Sequence, residues 1–353
     1  MAYLTRPDLR TNYQILGPAG TGRAPLALIH GLGANLAFWY LGAAPLLARD
    51  HQVIMHDMRG HGASSMPATG YDLAHLAADF RDVLDATGTE RAHVVGHSHG
   101  ARVALAFALA HPERVASLTI ADTQLRALQA PMRLGDWPHW PRWKADLAAQ
   151  GVTSFPPEDA LIDFRVLADL GPRGRAAIGA APPPVAETPA VVPLRPLLQG
   201  ARPRLARLLE QRDGAAGPPA HRIDLRNRQM GARSGRQWQA LLDETSAPRD
   251  LDDESAIAIP DLARFEVPTL LLYGEVSHCV PTSDRLLERL PHARRILVPG
   301  AGHFFPLVKP RSFARALRQF VAGVETANTP ARRRFVARVL AARGARSPAD
   351  RSA

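Results

Sequence analysis

The sequence predicts an α/β fold: a largely parallel sheet wrapped by helices on both faces and interrupted by one long insertion. Three observations carry this reading. Short apolar strands alternate with helix-like stretches through the first third of the chain, the alternation lapses between Thr123 and Phe265, and it returns from Thr269 to Val324. Strands separated by amphipathic helices end up sheltered on both faces, which is the environment that parallel pairing requires.

Taken in order, Leu26–His30 (LALIH), Gln52–His56 (QVIMH), Ala92–Gly96 (AHVVG) and Ser117–Ala121 (SLTIA) are apolar runs of strand length. Between them, Asp72–Thr87 sets Leu73, Leu76, Ala77, Phe80, Val83 and Leu84 on one helical face, and Ala101–His111 reads as a second helix. Within the lapse, Asp159–Leu170 and Gln237–Glu244 look helical. Gly171–Ala220 holds ten of the 31 prolines, including Pro182, Pro183 and Pro184, and so predicts loop. The return brings a strand at Thr269–Tyr273, a helix at Ser283–Leu290, a strand at Arg295–Val298 and a helix at Arg311–Val324. The expected organisation is a core in two parts, 1–122 and 266–323, with an insertion over 123–265 and a basic tail over 324–353.

Composition narrows the function classes. The chain has 353 residues, 46% of them hydrophobic and 22% charged, which suits a globular core. Its net charge of +10 sits almost wholly at the end, where Lys309–Ala353 carries eleven Lys/Arg against two acids. A solvated terminal helix and tail accounts for that, and no nucleic-acid motif accompanies it, so nucleic acid is not an expected partner. No apolar run reaches the ~18 residues of a membrane span. Arg6, Asp8 and Arg10 break up the first seventeen residues, so no signal peptide is expected, and the expected location is the cytoplasm. The single cysteine, Cys279, excludes an internal disulfide framework and a cysteine-rich metal centre; it reads as a small buried apolar residue.

The chemistry concentrates at strand ends. Gly96-His97-Ser98-His99-Gly100 follows one strand and opens a helix, the G-x-S-x-G pattern in the context it needs. The glycines permit a sharp turn that lifts the Ser98 hydroxyl above the sheet, with free N–H groups of the helix start beneath it. His30-Gly31-Leu32-Gly33 follows the LALI strand, so the N–H groups of Leu32 and His99 are candidates for an oxyanion hole. His303, in Pro299-Gly300-Ala301-Gly302-His303 after the last strand, can reach back to Ser98 as a general base.

Together, HGLG, the segment Asp57–Ser64 (DMRGHGAS), GHSHG and PGAGH resemble the α/β-hydrolase superfamily in order and spacing over 1–122 and 266–323. The resemblance implies a mostly parallel sheet of eight strands flanked by helices, with a cap inserted after the sixth strand. It also implies a bracing role for Asp57, Arg59 and Ser64. One position departs from the family. Relatives carry an acid in G-x-x-D-x-x-V-P after the penultimate strand, whereas Gly274–Pro281 reads GEVSHCVP and puts Ser277 there. A hydroxyl cannot supply the negative charge that stabilises an imidazolium. Asp122, at the end of the strand after the nucleophile, is the favoured substitute. Glu275 or Asp284 swinging in, or no acid at all, are the other readings. With Asp122 as the acid, Ser277→Ala is expected to change little.

His30, Gly31, Phe38, Trp39, Trp137 and Phe304 are the expected walls of a substrate pocket. For Trp137, Trp140 and Trp143, packing of the cap onto the core is the equal alternative. The insertion is nearly neutral, with 19 Lys/Arg against 17 Asp/Glu from Thr123 to Phe265, which disfavours a small, strongly anionic substrate. The expected reaction is hydrolysis of a carboxylic ester or thioester with a medium to large apolar acyl group, through an acyl-enzyme. The substrate is a small molecule, free or bound to a carrier protein. No metal or organic cofactor is implied. Acyl transfer, and a non-catalytic binding protein on the same fold, are the alternatives. An epoxide hydrolase or dehalogenase of this fold would place an acid where Ser98 stands.

Overall fold

The computed structural model describes residues 2–149, 153–162 and 236–327. Eight strands form one sheet in the order β1-β2-β4-β3-β5-β6-β7-β8. They are β1 (Ala2–Thr5), β2 (Arg10–Leu16), β3 (Leu26–Ile29), β4 (Val53–His56), β5 (Ala92–His97), β6 (Val115–Ala121), β7 (Thr269–Gly274) and β8 (Ala293–Val298). The pairs β1–β2 and β2–β4 are antiparallel, and every later pair is parallel. This is the α/β-hydrolase fold expected from the sequence.

β3 to β7 are apolar and buried along their whole length, because helices cover both faces. On one face, the helices Leu73–Ala86 and His99–Ala110 bring Phe80 and Phe107 edge to face at 4.9 Å between ring centres, over Ala27, Ile54, Val94 and Leu118. On the other, Pro310–Ala327 and the short helix Ala37–Tyr40 set Phe313, Leu317 and Trp39 on Leu28, Met55, Val95 and Leu272. Asp72 caps the first of these helices, its carboxylate accepting from the N–H of His75 at 3.0 Å, which explains why the helix begins where the apolar periodicity does.

β1 and β2 carry no apolar run, and their strand character is not legible in the sequence. Arg10, Thr11, Asn12 and Gln14 stand among the seven residues of β2, which sits toward the sheet edge with mixed burial. The stretch 159–162 is not helical as expected: it is a turn ending in a bridge from Leu161 to Arg133, and 163–170 lie outside the described residues. The proline-rich 171–220 and the tail beyond 327 also lie outside them. The described residues that follow β6 carry a small apolar cluster of their own. Leu134, Trp137, Trp140, Trp143, Leu147 and Ile162 cluster there and meet the core at Val276 and Phe304. Among the described residues, no helix is long and apolar enough to cross a membrane.

The chain order reverses beside β3, since β4 lies on one side of it and β5 on the other. In such sheets a crevice opens at the carboxyl ends of the strands near the reversal. The ends of β3, β5, β6, β7 and β8 all converge there.

Candidate active site

The turn from β5 into the helix His99–Ala110 holds Ser98 at φ 55° and ψ −125°, a conformation that side chains rarely adopt. Its glycines are sterically required. A Cβ on Gly96 would fall 2.2 Å from the Gly100 carbonyl oxygen, and one on Gly100 would fall 2.3 Å from that of His30. The strain, of order 1–3 kcal/mol for such a backbone, is held by the helix packing behind it and by the Ser98 N–H, which donates to the Ala121 carbonyl at 3.0 Å.

The Ser98 hydroxyl lies 3.0 Å from Nε2 of His303. On the far side of the ring, Nδ1 of His303 lies 2.9 Å from Oδ1 of Asp122. The structure therefore brings together the three residues singled out from the sequence. Asp122 is fully buried and itself has a positive φ of 50°. Its carboxylate accepts from the N–H of Gly274 at 2.7 Å and from the Ser277 hydroxyl at 2.5 Å, besides His303. Burial pushes its pKa up, but the hydrogen bonds and charge of His303, with Ser277 and the Gly274 N–H, outweigh that and hold it below the ordinary value. Glu275 and Asp284 are engaged elsewhere: Glu275 accepts from the Gly300 N–H at 2.7 Å, and Asp284 pairs with Arg295.

Ser277 thus stands where the family keeps its acid, yet it contacts the acid rather than idling beside it. Nothing in the sequence signalled this contact: the hydroxyl is one of three donors to a buried charge, which argues for a larger effect of its loss than expected. A second residue that sequence reasoning missed is His97. Its Nε2–H donates to the backbone carbonyl of His303 at 2.8 Å, and its ring stacks on Phe38 at 4.7 Å. Burial, then the neighbouring His303, push its pKa down to about 3, so this support is a neutral imidazole. The signal available was only its place beside Ser98.

The bracing segment behaves as the resemblance implied. Asp57 accepts from the N–H groups of Leu36 at 2.7 Å and Ala63 at 2.8 Å, and from the Asn12 amide at 2.7 Å. Arg59 grips Asp79 through two hydrogen bonds, and the Ser64 hydroxyl donates to the Asp57 carbonyl.

A cavity of about 260 Å³ opens on Ser98, with Leu32, His99 and His303 in its wall. The N–H of His99 is at the first turn of its helix, where no intrahelical acceptor exists. The expected pocket walls need correction. His30 is fully buried: its Nε2 accepts from the Met58 N–H at 3.1 Å and its Nδ1–H donates to the Gly31 carbonyl at 2.8 Å. Gly31 is backbone beside Ser98, where an added Cβ would lie 3.0 Å from that of Ser98. Phe38 and Trp39 belong to the core layer, and Phe304 packs edge-on against the His303 ring at 5.0 Å. Trp137 packs with Trp143 and against the His278 ring, so the tryptophans hold the inserted layer together. The cavity is instead lined by Trp238, Leu242, Leu251, Ile162 and two arginines. Arg102 lies 3.4 Å from Glu254 and Arg126 2.6 Å from Asp252, so both cations are neutralised locally. Apart from Arg102, on the helix that follows Ser98, these walls come from separate stretches of the insertion, which sequence spacing does not bring together.

A family model described as the alpha/beta hydrolase fold matches residues 24–164. A protein named carbamate hydrolase RutD from Variovorax paradoxus is 46% identical over 114 residues, 31% of this chain and 41% of its own. Another of that name from a Caulobacter species is 29% identical over 315 residues, 88% of this chain and 95% of its own. Among solved structures, a hydrolase from Pseudomonas aeruginosa is 25% identical with a TM-score of 0.53, over 91% of this chain and 97% of that one. The chain spans less than half the length of the first of these relatives.

Proposed function

Because the chain belongs to the α/β-hydrolase superfamily, we propose that it is a serine hydrolase acting through an acyl-enzyme. Ser98 is the nucleophile, His303 the general base and Asp122 the acid that orients it. The single observation carrying this reading is the unbroken chain from the Ser98 hydroxyl through both nitrogens of His303 to the Asp122 carboxylate. With Asp122 anionic, Nδ1 of His303 holds its proton and Nε2 presents a lone pair to the serine hydroxyl. Attack on a carbonyl then places a proton on His303 and negative charge on the carbonyl oxygen. The N–H groups of Leu32 and His99 stabilise that oxygen, and His303 returns the proton to the leaving group. Water repeats the sequence to release the acid.

The substrate class is a carboxylic ester or thioester with an apolar acyl group. The apolar wall formed by Trp238, Leu242, Leu251 and Ile162 supports it, as does the pairing of both wall arginines with acids. A carbamate is the second reading, favoured by the names of two relatives; its carbonyl takes the same attack. A fluorophosphonate tests the nucleophile: the wild-type chain is labelled at Ser98 and Ser98→Ala is not, and absence of labelling in the folded wild type overturns the assignment. Across p-nitrophenyl esters, kcat/KM is expected to rise from acetyl to longer acyl chains. A sharp preference for acetyl would rule out the apolar acyl site.

A further inference from the structure

Cys279 takes no part in the reaction proposed above, yet its sulfur lies against the base. Sγ is 3.4 Å from Nε2 of His278 and 3.7 Å from Nδ1 of His303. All three donor atoms lie within 4.8 Å of one another, and all three residues are buried. Each of the three residues also borders the cavity beside Ser98. A tetrahedral zinc ion, with Zn–S about 2.3 Å and Zn–N about 2.0–2.1 Å, separates sulfur from nitrogen by about 3.5 Å. Both sulfur–nitrogen edges already stand close to that length. The His278–His303 edge is the one that must close around an ion.

We propose that Cys279, His278 and His303 form a site for a thiophilic divalent cation, of which zinc is the best match, and that its occupation switches the base off. Thiolate and imidazole are the donors such an ion prefers over water and carboxylate. Charge also favours it. A dication would meet one thiolate and the Asp122 carboxylate, which gives up its hydrogen bond to His303 as the ion takes Nδ1, so the buried assembly is neutral. Binding releases the Cys279 thiol proton to solvent and takes the Nδ1 lone pair of His303. The ring proton formerly on Nδ1 then resides on Nε2, the nitrogen 3.0 Å from the Ser98 hydroxyl. In that tautomer Nε2 is a donor and cannot accept the serine proton.

Ion binding stands independently of the hydrolase reading, whereas the inhibition rests on it, so the test has two arms. In the first, cobalt(II) is titrated into the full chain and the thiolate-to-cobalt charge-transfer absorption is followed. One ion per chain with that band is expected, no band in Cys279→Ser, and at least tenfold weaker binding in His278→Phe. Far-ultraviolet circular dichroism checks that both variants are folded. Absence of the band from the wild-type chain overturns the site whatever the serine does. In the second arm, zinc is expected to slow fluorophosphonate labelling of Ser98 at least tenfold, reversibly with EDTA. Each Cys279→Ser sample is compared with its own metal-free baseline and should be slowed less than twofold. Equal zinc inhibition in Cys279→Ser would overturn the switch, because the metal would then act without the sulfur.

Discussion

β6 and β7 run side by side, Ala121 opposite Leu272, and their ends support the same imidazole in different ways. The end of β6 supplies Asp122, a full charge held 2.9 Å from His303. The end of β7, where related chains carry the acid, supplies only neutral donors: the Gly274 N–H and the Ser277 hydroxyl, both directed at Asp122. What the imidazole senses is a negative charge at Nδ1, and neighbouring parallel strands can each deliver one to that point. The cost falls on the backbone. Asp122 has φ 50°, a strained conformation for a non-glycine residue.

The largest effect expected from breaking this arrangement is that of Asp122→Asn. An amide cannot hold His303 in the tautomer that frees Nε2, and such a change lowers kcat by roughly 10⁴. Steady-state turnover of an activated ester measures it, and turnover near wild type would show that the carboxylate is dispensable.

A transplant sharpens the comparison. Asp122→Gly relieves the positive φ and empties the space beside Nδ1, and Ser277→Asp on that background restores a carboxylate from the β7 side. Because the Ser277 oxygen already lies 2.5 Å from the present carboxylate, the double variant should recover about 10–100-fold over Asp122→Gly alone, or about 1.4–2.8 kcal/mol of barrier. No recovery in a folded double variant would mean that β7 no longer has the geometry to serve.

Ser277→Ala probes the neutral side and should have a smaller effect. A hydrogen bond to a charged group is worth ~1.5–3 kcal/mol. The carboxylate keeps its two other donors, so a loss in kcat of about tenfold is expected, with KM little changed. A threonine at the same place keeps the hydroxyl and should restore most of the rate; failure of threonine to do so would point to packing rather than the hydrogen bond.

How far this was readable in the sequence depended on whether a feature is local. Strands β3 to β7 and their helices announce themselves through apolar runs and periodic faces, because each is buried by immediate neighbours, whereas β8 is half-buried and shows only its apolar end. Ser98 and His303 were legible because tight turns demand glycines at fixed offsets, and Asp122 because it ends the strand next to the nucleophile. β1 and β2 were hidden by their mixed polar and apolar residues. The cavity wall was hidden because Trp238 and Ile162, distant in the insertion, meet Arg102 of the core only in the folded chain. The aromatic residues nearest the motifs, Phe38, Trp39 and Trp137, are instead consumed by packing. The donation from Ser277 to Asp122 joins residues 155 positions apart, and no spacing rule signals it.

The smallest effect concerns the third support of the base, His97 at the end of β5, which contrasts with Asp122 in being uncharged. Its folded pKa of about 3 lies below the ordinary histidine value of 6.5 because burial and His303 disfavour the cation. Between those two values the unfolded chain binds a proton that the folded chain refuses, so stability falls as pH drops from 6.5 toward 3. One such group contributes a slope of at most about 1.4 kcal/mol per pH unit. His30, His56, His61 and His93, each lowered to about 4 mainly by burial, act in the same direction. His97→Asn keeps an N–H able to donate to the His303 carbonyl but removes the titration. Urea unfolding at stepped pH values should show the acid-side slope reduced by up to one proton, while kcat at neutral pH changes by less than about tenfold. If the slope is unchanged but activity collapses, His97 acts through the orientation of His303 alone, and its neutrality has no bearing on stability in acid.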